Sequence, residues 1–451
     1  MLVTLLRKSK ENSNAIKSIF IIIVITLFEI LLVLQFKINT GTTEPYSRYL
    51  LGIWLLSILP IVTAYLLNGN FVLSTIIGFF IQLGCGVQAM CSSISKMTIM
   101  LFIATAYSGI VLAVYHKFFN EKFLKKHLKI FSALVILGSV AMAAALMLFG
   151  KEKNGTKAWI ELLPGFEMQL TEFFKVAFSV TITLLFASEL SDSKKVVAGT
   201  TVMVFYGLFF VMINELGTLL ISGLVYLIIV FLFINDFSVL KKYSMVILAA
   251  VLLCVFVLYI MSLEIGSDIF PEKFTLIADK LISRWKIHLN PEKFQNNGGY
   301  QIVRAEKAIA LGGWLGSQSN LPIPVSSSDL IFPYTIMRFG IIVGILMVIA
   351  YLIIGYQSEK IIIRTNDIYR RVFCSCIAAT IFVQAFLIMF GSSNWTVLTG
   401  IPLPFVSDGG TSLCIMISFA YILIYQSSDG LLIQNIFSKK RFYKPSRKLI
   451  D

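Results

Sequence analysis

Asp329 stands in the stretch SSSDLIFPY, residues 326–334, where a long polar segment meets an apolar run. A carboxylate at the boundary between water and hydrocarbon is partly desolvated, which favours its neutral form and raises its pKa. That property suits a general base; the plain alternative is a carboxylate that ends a loop. The polar segment before it carries Arg284, Lys286, Lys293, Arg304 and Lys307. Guanidinium and ammonium groups suit recognition of phosphate or pyrophosphate, and a solvated face or lipid headgroup contact is the alternative. Glu172 and Lys175 lie three residues apart, a spacing that brings them together on a helix. Inside a membrane such a pair is either functional or a structural ion pair. Glu215, in the short break Asn214-Glu215-Leu216-Gly217, serves either the chemistry or a buried pairing that fixes two neighbouring spans.

These residues sit in a chain that is 57% hydrophobic and 14% charged, against roughly 45–50% and about 25% in soluble proteins. The composition is that of an all-α polytopic membrane protein, a single integral membrane domain over residues 1–451. Apolar runs long enough to span predict about twelve transmembrane helices. They centre near Ile25, Ile58, Ile77, Ala106, Ile136, Thr181, Phe205, Leu224, Leu252, Ile345, Ala379 and Phe419. The first run, Ser18 to Phe36, is long enough to stay as a span and lacks a small-residue cleavage pattern.

Charge fixes the orientation. Segments 7–17, 117–129, 194–195, 241–242, 360–371 and 439–448 carry twenty-three Lys and Arg residues. The short opposite loops carry Lys37, Arg48, Lys96, Lys151, Lys153 and Lys157. The positive-inside rule therefore places both termini in the cytoplasm. The net charge of +14 is accounted for by topology and anionic lipid, so a nucleic-acid partner is not expected. One large extracellular loop, residues 263–330, interrupts the pattern; Ile302, Ala305, Ala308 and Ile309 recur in it at helical spacing, which predicts short amphipathic helices. The six cysteines and three histidines show no metal-ligand spacing. Gly400 to Ser412, GIPLPFVSDGGTS, holds two prolines, three glycines and an aspartate and cannot continue a helix. Irregular backbone at membrane depth must be buried in protein or line a wet cavity.

Four blocks in order resemble the shape, elongation, division and sporulation (SEDS) family of bacterial membrane proteins, the FtsW/RodA/SpoVE type. They are GTKAWIELLPGFEMQLTEFFK from Gly155, INELGT from Ile213, RWKIHLNPEKFQNNGGYQIVRAEKAIALGGWLG from Arg284, and GIPLPFVSDGGTS. The resemblance makes residues 151–451 the catalytic core. The N-terminal 150 residues then hold two helices more than the family's usual three. It implies a peptidoglycan glycosyltransferase that polymerises lipid II at the outer face of the cytoplasmic membrane, in elongation, division or sporulation. A class B penicillin-binding protein is the implied partner. IPVSSSDLIF, Ile323 to Phe332, places Asp329 at the family's presumed catalytic aspartate.

In that role Asp329 takes the proton of the acceptor hydroxyl, while Lys175, Arg284 or Arg304 neutralises the departing pyrophosphate. A divalent cation (Mg2+ or Mn2+) bridging the phosphates is a further expectation. Glu172, Glu215, Gln301, Trp159 and Ser407 complete the implied substrate-binding set. The chain departs from the family pattern at Ser327-Ser328 (usually His-Thr), Met337-Arg338 (usually Glu-Glu) and Asp408 (usually tyrosine). Competing readings are a flippase for a lipid-linked precursor, a polymerase of another lipid-linked glycan, and an inactive scaffold that retains only partner binding.

Overall fold

In a computed structural model, residues 2–153, 155–163, 166–261, 272–296 and 298–428 are described. Among these residues nine helices precede the large loop: α1 (Leu2–Thr40), α2 (Tyr46–Leu67), α3 (Phe71–Cys91), α4 (Ile94–Phe118), α5 (Glu121–Phe149), α6 (Leu170–Phe186), α7 (Asp192–Met212), α8 (Leu216–Phe233) and α9 (Phe237–Met261). The loop holds α10 (Glu272–Leu289), a 3-10 turn at Pro291–Phe294, and α11 (Gly299–Gly312). After it come α12 (Ile331–Phe339), α13 (Ile341–Arg364), α14 (Ile368–Ser392) and α15 (Gly410–Gln426).

Every one of the twelve expected spans falls on a helix. Among the described residues ten helices are long and apolar enough to cross a membrane. The other two, α6 and α15, have 17 residues each. Side chains make the sharp starts: Asn70 Oδ1 accepts from Leu73 N at 3.0 Å, and Asn120 Oδ1 accepts from Phe123 N at 3.0 Å. Each satisfies a backbone donor that has no partner within its own helix. The interior is built chiefly by α3, α14 and α15, whereas α5 and α9 turn most of their surface outward, as lipid-facing helices do.

Two elements differ from the sequence reading. Residues between α5 and α6 form a three-stranded antiparallel sheet, β1 (Lys151–Lys153), β2 (Thr156–Leu163) and β3 (Phe166–Gln169), in the order β1-β2-β3. Trp159 pairs with both Lys151 and Gln169. The ion pairs Lys151–Glu161 and Lys153–Glu167 tie neighbouring strands. Second, Asp329 does not lead straight into a long span. It precedes the nine-residue α12, which is separated from α13 by Gly340 at φ 88°. A Cβ there would collide with the backbone of Trp314 and Leu315, so the turn requires glycine. The expected amphipathic helices of the loop are α10 and α11; residues 262–271 at its start, and the basic segment 439–448, lie outside the described residues.

The Met337-Arg338 departure is also accounted for locally. Met337 is buried on α12, and the Arg338 guanidinium lies 5.4 Å from the Tyr334 ring centre. From α1, the Gln35 side chain donates to the Arg338 carbonyl at 2.8 Å, while Arg338 Nη1 donates to Asn39 Oδ1 at 3.4 Å. The N-terminal helix therefore docks on the segment that follows Asp329.

Candidate active site

Five pieces of chain meet at one end of the bundle: the sheet, the α7–α8 break, α10, the turn 325–329 and the irregular segment 399–409. They enclose a cavity of about 330 Å³ whose lining includes Trp159, Glu215, Lys280, Arg284, Asp329 and Asp408. A second lobe of about 430 Å³ shares Lys280, Arg284, Val325, Asp329 and Gly400 with it and extends to His288, Gln301 and Asn394. Because the shared residues include Asp329 and Arg284, the lobes form one groove with acid and guanidinium at their junction.

The backbone holding Asp329 is heavily constrained. Val325, at φ 51°, accepts at its carbonyl from Ser328 N (3.1 Å) and Leu330 N (3.2 Å). Ser327 O accepts from Gln88 Nε2 at 2.8 Å and from Asp408 N at 2.9 Å. Ser407 Oγ donates to Ser328 O at 2.9 Å and accepts from Leu403 N at 2.8 Å. Opposite the carboxylate, Gly400 has φ 68°, and a Cβ added there would lie 3.5 Å from Asp329 Oδ2. The proline-glycine segment thus braces the turn and lets Asp329 approach its backbone closely.

Electrostatics follow from this placement. Burial pushes the Asp329 carboxyl above the usual aspartate range, against opposing effects of a Ser328 hydrogen bond and the Arg284 charge. Burial likewise raises Glu215, the residue capping the start of α8. Lys280 is lowered, first by burial and then by neighbouring Arg284. Asp329, Glu215, Lys280 and Arg284 therefore share a partly desolvated cavity, where charge interactions exceed those in water.

The expected substrate residues divide into two sets. Asp329, Arg284, Glu215, Trp159 and Gln301 line the groove. Ser407, Glu172, Lys175 and Arg304 do not. Ser407 acts behind the lining, through Ser328. Glu172 and Lys175 pair at 2.7 Å in the bundle interior, each only 2% exposed. Lys175 Nζ also donates to Gln384 Oε1 at 2.8 Å, and Gln384 Nε2 donates to Pro402 O at 2.8 Å. The pair is thus linked through Gln384 to the irregular segment. Arg304 stacks on Tyr300, 5.0 Å from its ring centre.

Sequence reading passed over Lys280, His288 and Asn394. The signal was present: Lys280, Arg284 and His288 recur every four residues on α10 and so share a helical face. Asn394, at φ 59°, joins that face to α11: its Oδ1 lies 2.9 Å from His288 Nδ1, and its Nδ2 donates to Glu306 at 2.8 Å. Among the described residues no three His, Cys, Asp or Glu side chains gather as a metal site. In the groove the acids are interleaved with Lys280 and Arg284, which does not fit a cation held by protein alone.

Comparison with known proteins agrees with this architecture. The chain is 25% identical over 303 residues to a probable peptidoglycan glycosyltransferase FtsW of Bacillus subtilis, covering 64% of this chain and 71% of that one. It is 27% identical over 288 residues to the peptidoglycan glycosyltransferase RodA of Mycobacterium leprae, covering 58% of this chain but only 56% of the relative. Its fold matches a chain in a solved peptidoglycan synthase complex with a TM-score of 0.62 at 15% identity, over 80% of this chain and 97% of that one. A family model described as cell cycle protein, FtsW/RodA/SpoVE, matches residues 65–429, so α1 and nearly all of α2 precede the match. A multi-pass helical membrane protein with this extent of match belongs to the FtsW/RodA/SpoVE family.

Proposed function

We propose that this chain is a peptidoglycan glycosyltransferase that polymerises lipid II into glycan strands at the outer face of the bacterial cytoplasmic membrane. The observation that carries the reading is the groove in which Asp329 meets Arg284 and Lys280. Both termini lie in the cytoplasm, and a class B penicillin-binding protein crosslinks the product. Family membership and the charge distribution of the loops support these assignments.

The acceptor hydroxyl oxygen attacks the anomeric carbon of the donor sugar while Asp329 takes its proton. A carbon–oxygen bond forms as the bond from that carbon to the pyrophosphate breaks, and the bonding electrons leave on the pyrophosphate. A single displacement of this kind inverts the anomeric centre. Arg284 and Lys280 lie where that charge develops and stabilise it. Burial serves both halves, since it raises the proton affinity of Asp329 and strengthens the attraction of the cations for the leaving group. A divalent cation would arrive with the diphosphate, with no protein ligand set assigned to it.

The test is purified full-length chain in detergent, supplied with lipid II and a class B penicillin-binding protein. Glycan polymer is the expected product. Unchanged monomeric lipid II, together with transfer of lipid II across vesicles containing the chain, would replace the polymerase with a flippase.

A further inference from the structure

At the other end of the bundle lies a cavity of about 610 Å³ that the proposed chemistry does not use. The helix α15 connects the two ends. It starts at Gly410 beside the groove and ends at Gln426 in this cavity's wall, about 25 Å away at 1.5 Å per residue. The wall is built from the α2–α3 connection Asn68-Gly69-Asn70, the last turns of α13, the start of α14 and the end of α15.

Its chemistry has one sign. Lys360, Arg364 and Arg370 line it, and among the described residues no Asp or Glu does. Among the described residues none of the three forms an ion pair with a carboxylate. Lys360 Nζ lies 4.1 Å from the Tyr356 ring centre, and Arg370 Nε donates to Phe119 O at 2.7 Å. Neutral donors join them: Asn70 Nδ2 donates to Gln357 Oε1 at 2.8 Å, which leaves the amide nitrogen of Gln357 for another acceptor. Ser427 Oγ accepts from Asn70 N at 2.7 Å and ties the end of α15 to this wall.

The positive-inside rule accounts for cations in the α13–α14 connection. It does not require that they surround a concave space to which the described residues contribute no acid. The chain's own tail is a poor occupant, because residues 439–448 carry six Lys and Arg and would add to the repulsion. An anion relieves both. Clustered Arg and Lys between helix ends match phosphate oxygens, which they meet with charge-assisted hydrogen bonds, and basic pockets on the cytoplasmic side of helical bundles suit anionic headgroups.

We propose that this cavity is a phosphate-binding site, taking the phosphodiester of an anionic membrane lipid through Lys360, Arg364 and Gln357. It stands independently of the reaction assigned to Asp329. The test uses purified full-length chain and follows its thermal unfolding with added phosphatidylglycerol, phosphatidylcholine or inorganic phosphate. Phosphatidylglycerol should raise the unfolding temperature, and phosphatidylcholine should not. In Lys360→Gln/Arg364→Gln the half-saturating phosphatidylglycerol concentration should rise about 30-fold. Arg364→Gln alone, at an exposed side chain, should give part of that loss if the double variant folds poorly. Lys241→Gln/Lys242→Gln, on another basic connection, should behave as wild type. A shift reproduced by millimolar inorganic phosphate and lost in the same variant supports the site with a soluble phosphate as its ligand. Equal lipid response in wild type and Lys360→Gln/Arg364→Gln, or equal loss in both double variants, overturns the proposal.

Discussion

Ser407 donates its hydroxyl proton to the carbonyl oxygen of Ser328, the residue preceding Asp329, across 2.9 Å. The Ser407 hydroxyl oxygen in turn accepts from Leu403 N at 2.8 Å, so one small side chain locks the proline-glycine segment to the turn that presents the base. Ser407 is 2% exposed and lies off the groove's lining, which makes it a positioning residue. Ser407→Ala should lower kcat about 10-fold with little change in KM, and cost about 1–3 kcal/mol of stability by leaving buried partners unsatisfied. Steady-state kinetics beside thermal unfolding checks both; an unaltered kcat would remove the role.

The Glu172–Lys175 pair tests the distinction between support and chemistry. Breaking a buried pair leaves one uncompensated charge, so Glu172→Gln or Lys175→Met alone should destabilise the protein by about 3–5 kcal/mol. Glu172→Leu/Lys175→Met should destabilise it far less than the two single losses combined. Single variants that melt like wild type yet lose polymerisation would instead assign the pair to the reaction.

The pH profile tests the electrostatics. A general base works only when deprotonated, and burial raises Asp329 above its ordinary value of 3.8. Activity should therefore fall as pH drops through an inflection above that value. Arg284 lowers the Asp329 pKa, so Arg284→Gln should move the acid limb to higher pH as well as slow the reaction. A limb that stays fixed or moves to lower pH in that variant would contradict the pairing.

Lys280→Gln should reduce kcat about 100-fold if its ammonium meets charge that develops on the leaving pyrophosphate. Lys286→Gln, exposed on the same helix and absent from the groove, is the matched control and should stay near wild type. Equal losses in the two variants would mean a general field effect instead of a placed cation.

Much of this was legible in the chain because its signals are local. Apolar runs of membrane length all fall on helices, and the carboxylate at the end of the long polar loop lines the groove. The α10 stripe of Lys280, Arg284 and His288 is equally local, a four-residue repeat on one helix. What stayed hidden depends on contacts between distant segments. Nothing near Thr156 announces that β2 pairs with strands on both sides, since its cross-strand ion pairs form only once the chain reverses twice. Ser407 reaches back 79 residues, and Lys175 reaches Gln384 over 209. A membrane-buried ion pair reads identically whether it binds substrate or holds a loop; only its placement behind the lining separates the two.

The most direct test of the central claim is polymer formation from purified lipid II by the full-length Asp329→Asn variant, with lipid II binding measured on the same sample. The substitution keeps the side chain's shape and removes its capacity to take a proton. Binding should persist while polymerisation falls by about 10²–10⁴-fold, the range supplied by a positioned base. Polymer made at the wild-type rate by a correctly folded Asp329→Asn protein would contradict the assignment.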